Sequence, residues 1–126
     1  MARTVRELQV FQRACVAADE LFALLRHSQL GRDRDLGAQL NRASIRIVSD
    51  VAEGFEQKTD RHFAKYLYDA RGGSAEIRAQ LSVAQSRGYI PESEAGRVIG
   101  LYDEIGRMLS GLIKYLEAHD RKDRHK

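Results

Sequence analysis

The sequence predicts an all-α protein, an antiparallel up-down-up-down four-helix bundle filling a single domain over residues 1–126, and three observations predict it. Apolar and small residues recur at alternating steps of three and four in four separate stretches, the spacing that draws one stripe along an α-helix and nothing comparable along a strand. The third stretch, residues 59–88, would be about 40 Å long at 1.5 Å per residue, too long to bury its stripe without other helices packed along it. The breaks between stretches are short, which makes successive helices antiparallel neighbours.

The first helix is expected over about residues 4–28. Leu8, Phe11, Cys15, Ala18, Phe22 and Leu25 form its stripe, with Thr4 as N-cap and Glu7 completing a capping box. Gly31 suits a left-handed turn ending it. The second helix, about 33–55, can be capped by Asp33 or Asp35 and buries Leu36, Leu40, Ala43, Ile47, Val51 and Phe55. Ile45, Val48 and Ala52 add a second apolar strip, so burial is expected on two sides. Opposite runs a polar stripe of Asp35, Gln39, Arg42, Arg46, Ser49 and Glu53.

The third helix, about 60–87, carries Phe63, Leu67, Ala70, Ser74, Ile77, Leu81 and Ala84 on one face and ends at Gly88, with Tyr89 and Ile90 closing a hydrophobic C-cap. Pro91 fits the first turn of a fourth helix, about 91–118, whose seam is Ala95, Val98, Tyr102, Ile105, Leu109, Leu112 and Leu116. The polar tail 119–126 is expected to fray. Gly72 and Gly73 interrupt the third helix, each at about 1 kcal/mol relative to alanine. A helix lying close against them, from the same protomer or another subunit, would offset that. Gly96, Gly100, Gly106 and Gly111 suggest the same economy of space.

Composition narrows the class. Charged residues make up 31% and hydrophobic residues 43%, ordinary for a soluble helical protein. A lone cysteine, Cys15, staples nothing and fits a reducing cytoplasm and a buried stripe position. No run reaches membrane-span length, and the first residues lack a signal-peptide hydrophobic region. The net charge is +3, and all of the excess falls in residues 1–46, where eight Lys/Arg meet five acids.

Several segments, taken in order, resemble a known family. They are Gln39-Leu-Asn-Arg-Ala43, Ala52-Glu-Gly-Phe55, Phe63 through Leu67, Ala70-Arg-Gly72, Glu76-Ile77, Gly88-Tyr89 and the stretch Glu104 to Lys114. Over Leu8 to Leu116 the chain resembles the small four-helix-bundle proteins encoded within intervening sequences of bacterial 23S ribosomal RNA genes. It departs from them at Val48, where relatives usually carry proline, at Asp50, where they carry asparagine, and at Gly73, where they carry serine. The resemblance implies a homo-oligomer, a pentamer shaped as a barrel or funnel. The chain is also similar, more distantly, to accessory proteins of diversity-generating retroelements, pentameric basic bundles that bind nucleic acid and partner with a reverse transcriptase. No settled activity comes with the family.

Catalytic constellations are missing from the sequence. It has no Glu-x-x-His for a di-iron bundle, no His-Glu-x-x-His, no paired cysteines and no phosphate-cradling glycine loop. The expectation is a non-enzymatic protein without cofactor or metal. The histidines do not converge: His27 sits near a helix end, His62 in a first turn, and His119 and His125 in the tail, where solvation is expected.

Nucleic-acid binding is the sharper functional reading, through Arg42 and Arg46 on the second helix with Lys58, Arg61 and Lys65 around the start of the third, and Arg71 with Arg78 as a second pair. A pentamer would repeat any such patch. The alternative is that interspersed acids neutralise these cations into an ordinary surface on a protein-interaction or scaffold module.

Overall fold

The structure is a computed structural model and describes residues 2–124, with side chains through residue 120. Four α-helices build it: α1 (Gln9–His27), α2 (Arg34–Phe55), α3 (Asp60–Ser86) and α4 (Glu92–Arg124). Short 3₁₀ turns at Val5–Glu7 and Gln29–Arg32 flank α1, and the described residues contain no strand. Among these residues, no helix is long and apolar enough to cross a membrane.

The expected start of α1 is corrected. Thr4 makes no side-chain cap, Leu8 is extended, and the Glu7 carboxylate accepts from the Arg3 N–H at 2.7 Å. The helix therefore begins at Gln9. Its buried face is Val10, Ala14, Ala17, Leu21 and Leu24, one residue out of register with the expected stripe. Both sets repeat at three and four, and the alanines at 14 and 17 let the neighbours approach closely. Phe11, Cys15 and Leu25 are left half-buried, and Phe22 is 50% exposed. Partial burial still pushes the Cys15 thiol upward, with Asp19 adding to the shift and Arg6 opposing it.

Gly31 is also corrected. It is not left-handed, since Gly88 is the positive-φ residue among those described. The turn instead brings Gly31 so close to α1 that a Cβ would lie 1.9 Å from the Leu25 carbonyl oxygen.

Asp33 caps α2 by accepting from the Leu36 N–H at 3.2 Å, and Asp35 does not compete. The buried face is Leu36, Leu40, Ala43, Ile47 and Val51, joined by Gly37, Ser44 and Gly54. Within the protomer the second strip is not buried: Ile45 is 54% exposed and Val48 and Ala52 are half-covered.

Thr59 caps α3, its Oγ1 accepting from the His62 N–H at 3.2 Å. Leu67, Ala70, Ser74, Ile77, Leu81 and Ala84 are buried as expected, while Phe63 is half-buried beside buried Ala64. At the far end, Gly88 at φ 76° ends the helix, and the Tyr89 N–H donates to the Ala84 carbonyl at 3.0 Å. Ile90 closes that cap, 4% exposed.

Pro91 stands immediately before α4, one position earlier than expected, and its carbonyl accepts from the Ala95 N–H at 3.0 Å. The seam of α4 is buried through Leu109, then uses Ile113 in place of half-buried Leu112 before Leu116. α4 continues through the polar tail to Arg124, beyond the expected end near residue 118. His119 meets the Asp60 carboxylate at 3.1 Å and stacks on Tyr115 instead of standing free. His125 lies outside the described residues.

One core joins all four helices, centred on fully buried Leu21, Leu40, Ile47, Leu67, Ile77, Tyr102 and Leu109. Close approaches hold α2 to α3: Ile47 against Gly73, and Phe63 and Tyr66 against Gly54. Between α3 and α4, the Ser74 hydroxyl donates to the Tyr102 carbonyl at 2.5 Å. Gly106 faces that hydroxyl, whereas Gly96, Gly100 and Gly111 meet nothing within 4 Å, so the expected economy of space is confined to one glycine of α4 within the protomer.

Candidate functional site

The polar stripe of α2 forms as its spacing predicts: Asp35, Gln39, Arg42, Arg46, Ser49 and Glu53 are all exposed. From Gln39 to Glu53 it forms one wall of a groove between α2 and α3. Ile45 and Asp50 complete the α2 side, and Tyr68, Asp69, Gly72, Gly73 and Glu76 line the α3 side. Gln39 and Gln80 close one end with a 3.0 Å hydrogen bond.

Ion pairing divides the cations of the molecule into two groups. Four arginines, Arg13 on α1, Arg97 and Arg107 on α4 and Arg87 just past α3, are matched by carboxylates. Arg13 pairs with Glu104 at 3.1 Å, Arg97 with Glu20, Arg107 with Asp103 at 2.9 Å, and Arg87 with Asp33 at 3.2 Å. Arg42, Arg46, Lys58, Arg61 and Lys65 are exposed and make no salt bridge among the described residues. Two acids of the same region are occupied elsewhere, Asp33 with Arg87 and Tyr89, and Asp60 with His119. Exposed pairs of this kind contribute little stability, about 0–1 kcal/mol each. Their consequence is electrostatic: they leave Arg42, Arg46, Lys58, Arg61 and Lys65 without a salt-bridge partner among the described residues, as they also leave Arg3, Arg6, Arg26, Arg32 and Arg34.

The seven candidate cations do not form one patch. Arg42 and Arg46 lie midway along the groove. Arg61 and Lys65 lie toward the α2–α3 turn, where Lys58 also sits, and Asp50, Glu53 and Asp69 intervene. Arg71 and Arg78 turn the other way, toward α4. Arg71 donates to the Ser110 hydroxyl at 3.3 Å and covers the Tyr68 ring at 4.9 Å, and Arg78 pairs with Asp103 at 3.6 Å. Gly73 is the close-contact glycine, with Ile47 Cγ1 3.1 Å from where its Cβ would be. Gly72 is exposed and meets nothing within 4 Å in the protomer.

Tyr68 is not singled out by the sequence, and Asp50 only as a departure from the family's asparagine. Tyr68, 42% exposed, donates to both carboxylate oxygens of Glu117 at 3.0 Å. Its signal was available, since it is an aromatic that falls off the apolar stripe of α3. Asp50 carries a carboxylate oxygen that is shielded from water and has no hydrogen-bond partner. Desolvation, chiefly, and the facing Asp69 push its pKa up to about 6, with Arg46 opposing and Glu53 adding.

That shift has a sign for stability. A carboxyl whose folded pKa lies above its unfolded value near 3.8 binds its proton more tightly when folded. Its contribution therefore weakens as pH rises from about 4 to 6 and stays unfavourable above. With Asp50 half open to solvent, screening reduces the penalty to about 1 kcal/mol. Asp50→Asn is expected to raise stability by about that amount at pH 8 and by less than half of it at pH 4. Urea unfolding at the two pH values checks it, and an equal effect at both would show that the carboxylate charge is not responsible.

Among the described residues, no group of three or more His, Cys, Asp or Glu could hold a metal ion.

The sequence model of the family described as 23S rRNA-intervening sequence protein matches residues 6–111. Among solved structures, the chain is similar to a protein of unknown function from the S23 ribosomal protein family of Bacteroides thetaiotaomicron. The TM-score is 0.76 at 18% identity, covering 83% of this chain and 98% of that one. At that identity the likeness shows the fold alone. Comparison with curated proteins gives no match.

Proposed function

The chain belongs to the 23S rRNA-intervening sequence protein family, and on that premise we propose that it is a non-enzymatic, cytoplasmic, homo-oligomeric bundle that associates with nucleic acid through α2 and the start of α3. One observation carries the reading. Arg42 and Arg46, one turn apart on the wall of the α2–α3 groove, are exposed and make no salt bridge among the described residues, whereas Arg13, Arg78, Arg87, Arg97 and Arg107 are each matched by a carboxylate. Lys and Arg on a shared surface are what phosphate contacts require. The family resemblance supports a homopentamer, in which the patch would recur five times and gain by multivalency. Opposed pairings support an antiparallel up-down-up-down course, with Gly54 beside Tyr66, Ile47 beside Gly73 and Gln39 beside Gln80.

The test is binding of RNA and DNA titrated against salt. Affinity is expected to fall steeply with salt, and Arg42→Glu/Arg46→Glu to lower it and to reduce the slope by about 2 per protomer engaged. A flat salt response, or an unchanged double variant, removes the reading. A solution mass near 14.3 kDa removes the oligomer.

A second reading is a protein-interaction or scaffold module without nucleic acid, with a partner such as a reverse transcriptase. It is favoured by the exposed Phe22 and Ile45, large apolar side chains on α1 and α2. Recovery of a protein partner after nuclease treatment supports it, and loss of all partners counts against it.

A further inference from the structure

Resting on the nucleic-acid reading above, we infer that the α2–α3 groove takes single-stranded rather than duplex nucleic acid, stacking an unpaired amino-bearing base on Tyr68 while Arg42 and Arg46 hold the adjoining phosphates.

The platform comes first. Tyr68 lines the groove and is held in place on two sides, its hydroxyl on Glu117 of α4 and one ring face under the Arg71 guanidinium. A tyrosine fixed in this way and still 42% exposed presents a ring at little entropic cost. Bases stack on such rings regardless of sequence, and only unpaired bases offer a free face.

Gly72 supplies an independent observation. It weakens α3, yet no atom lies within 4 Å of where its Cβ would stand, so packing in the protomer does not explain it. It is one turn beyond Tyr68, on the same side of the helix. A longer side chain there would stand beside the ring and fill the groove. Glycine keeps that approach open.

Arg42 and Arg46 are set apart from the ring along the groove. Opposed pairing of Ile47 with Gly73 and Gly54 with Tyr66 sets Tyr68 level with about residue 52, roughly 9 Å along the axis from Arg46. Arg42 and Arg46 therefore stand to one side of the ring along the groove, whose lining also includes Glu53 and Asp69, while Lys65 lies one turn before the ring on α3. Carboxylates there would repel a second phosphate strand but accept hydrogen bonds from the exocyclic amine of adenine or cytosine. This arrangement disfavours a duplex and favours a strand whose base turns inward while its backbone runs over Arg42 and Arg46.

The experiment measures fluorescence anisotropy with short oligoadenylate, oligouridylate and the duplex they form, at fixed salt. Oligoadenylate is expected to bind most tightly. Tyr68→Ala should weaken it by roughly tenfold, and Tyr68→Phe, which keeps the ring, should preserve it. Gly72→Leu should weaken binding to a similar degree while raising the thermal midpoint, a pairing that a merely structural role would not produce. Duplex binding as tight as oligoadenylate, or wild-type affinity in Tyr68→Ala and Gly72→Leu alongside loss in Arg42→Glu/Arg46→Glu, overturns this inference and leaves the nucleic-acid reading standing. A change of oligomeric mass in Gly72→Leu also overturns it, by assigning Gly72 to a subunit contact. Binding of no nucleic acid at all overturns both.

Discussion

Replacing Gly31 with alanine is expected to lower stability by about 3 kcal/mol, the upper part of the range for forcing atoms into a packed site. The new Cβ would lie 1.9 Å from the Leu25 carbonyl oxygen and 3.0 Å from its carbon, both backbone atoms of the last turns of α1. A flexible side chain could swing aside, but this carbonyl moves only if α1 unwinds or the 3₁₀ turn lifts away. Lifting the turn would expose Leu30, fully buried beside Gly31. The thermal midpoint should fall by roughly 10 °C, read by circular dichroism. Gly88→Ala is the internal comparison. Its Cβ meets nothing within 4 Å, and the strain of φ 76° alone should cost about 1 kcal/mol. Equal losses at the two positions would mean that conformation, not contact, fixes the glycine at 31.

Gly73→Leu should be similarly damaging, by about 3 kcal/mol. Here the obstructing atoms are the Ile47 side chain, with Cγ1 at 3.1 Å and Cδ1 at 3.5 Å from where the Cβ would be. Ile47 is itself fully buried, so Ile47→Ala alone should cost about 3 kcal/mol through the cavity it leaves. Combined, the two changes exchange volume across one contact, and the double variant should be more stable than additivity allows by at least about 1 kcal/mol. Urea unfolding of the four proteins of this cycle measures the coupling. Strict additivity would show that Gly73 and Ile47 do not meet in solution.

Much of the fold was legible because helical periodicity is written directly into side-chain order. The buried sets of α2 and α3 follow the expected stripes nearly residue for residue, and the Asp33 cap and the Gly88 stop stand at the places their chemistry suggests, while the Thr59 cap adds to them. The misreadings share a cause. On α1 two apolar stripes one residue apart satisfy the same spacing, and only the approach of the other helices selects Val10, Ala14, Ala17, Leu21 and Leu24. The polar end of α4 lacks an apolar stripe, yet the helix continues, with His119 tied to Asp60 of α3. That is a contact across 59 residues of chain, which no local pattern announces.

The candidate surface was legible in part. Sequence spacing alone placed Arg42 and Arg46 on one exposed face. It grouped Arg71 and Arg78 with them by charge, whereas the structure turns both toward α4, onto Ser110 and Asp103. The significance of Tyr68 and Asp50 is relational and lies outside any local pattern: a ring held by Glu117 and Arg71, and a carboxylate near Asp69 with an unpartnered oxygen.

By itself, then, the sequence determined the number, length and approximate faces of the helices, because a 3.6-residue period and its cap and break residues are local properties of the chain. Only the tertiary structure decided which of two α1 stripes is core, why Gly31 and Gly73 are glycines, and which cations are left unmatched. Each of these depends on distances between atoms far apart in sequence, and packing and ion pairing act through those distances.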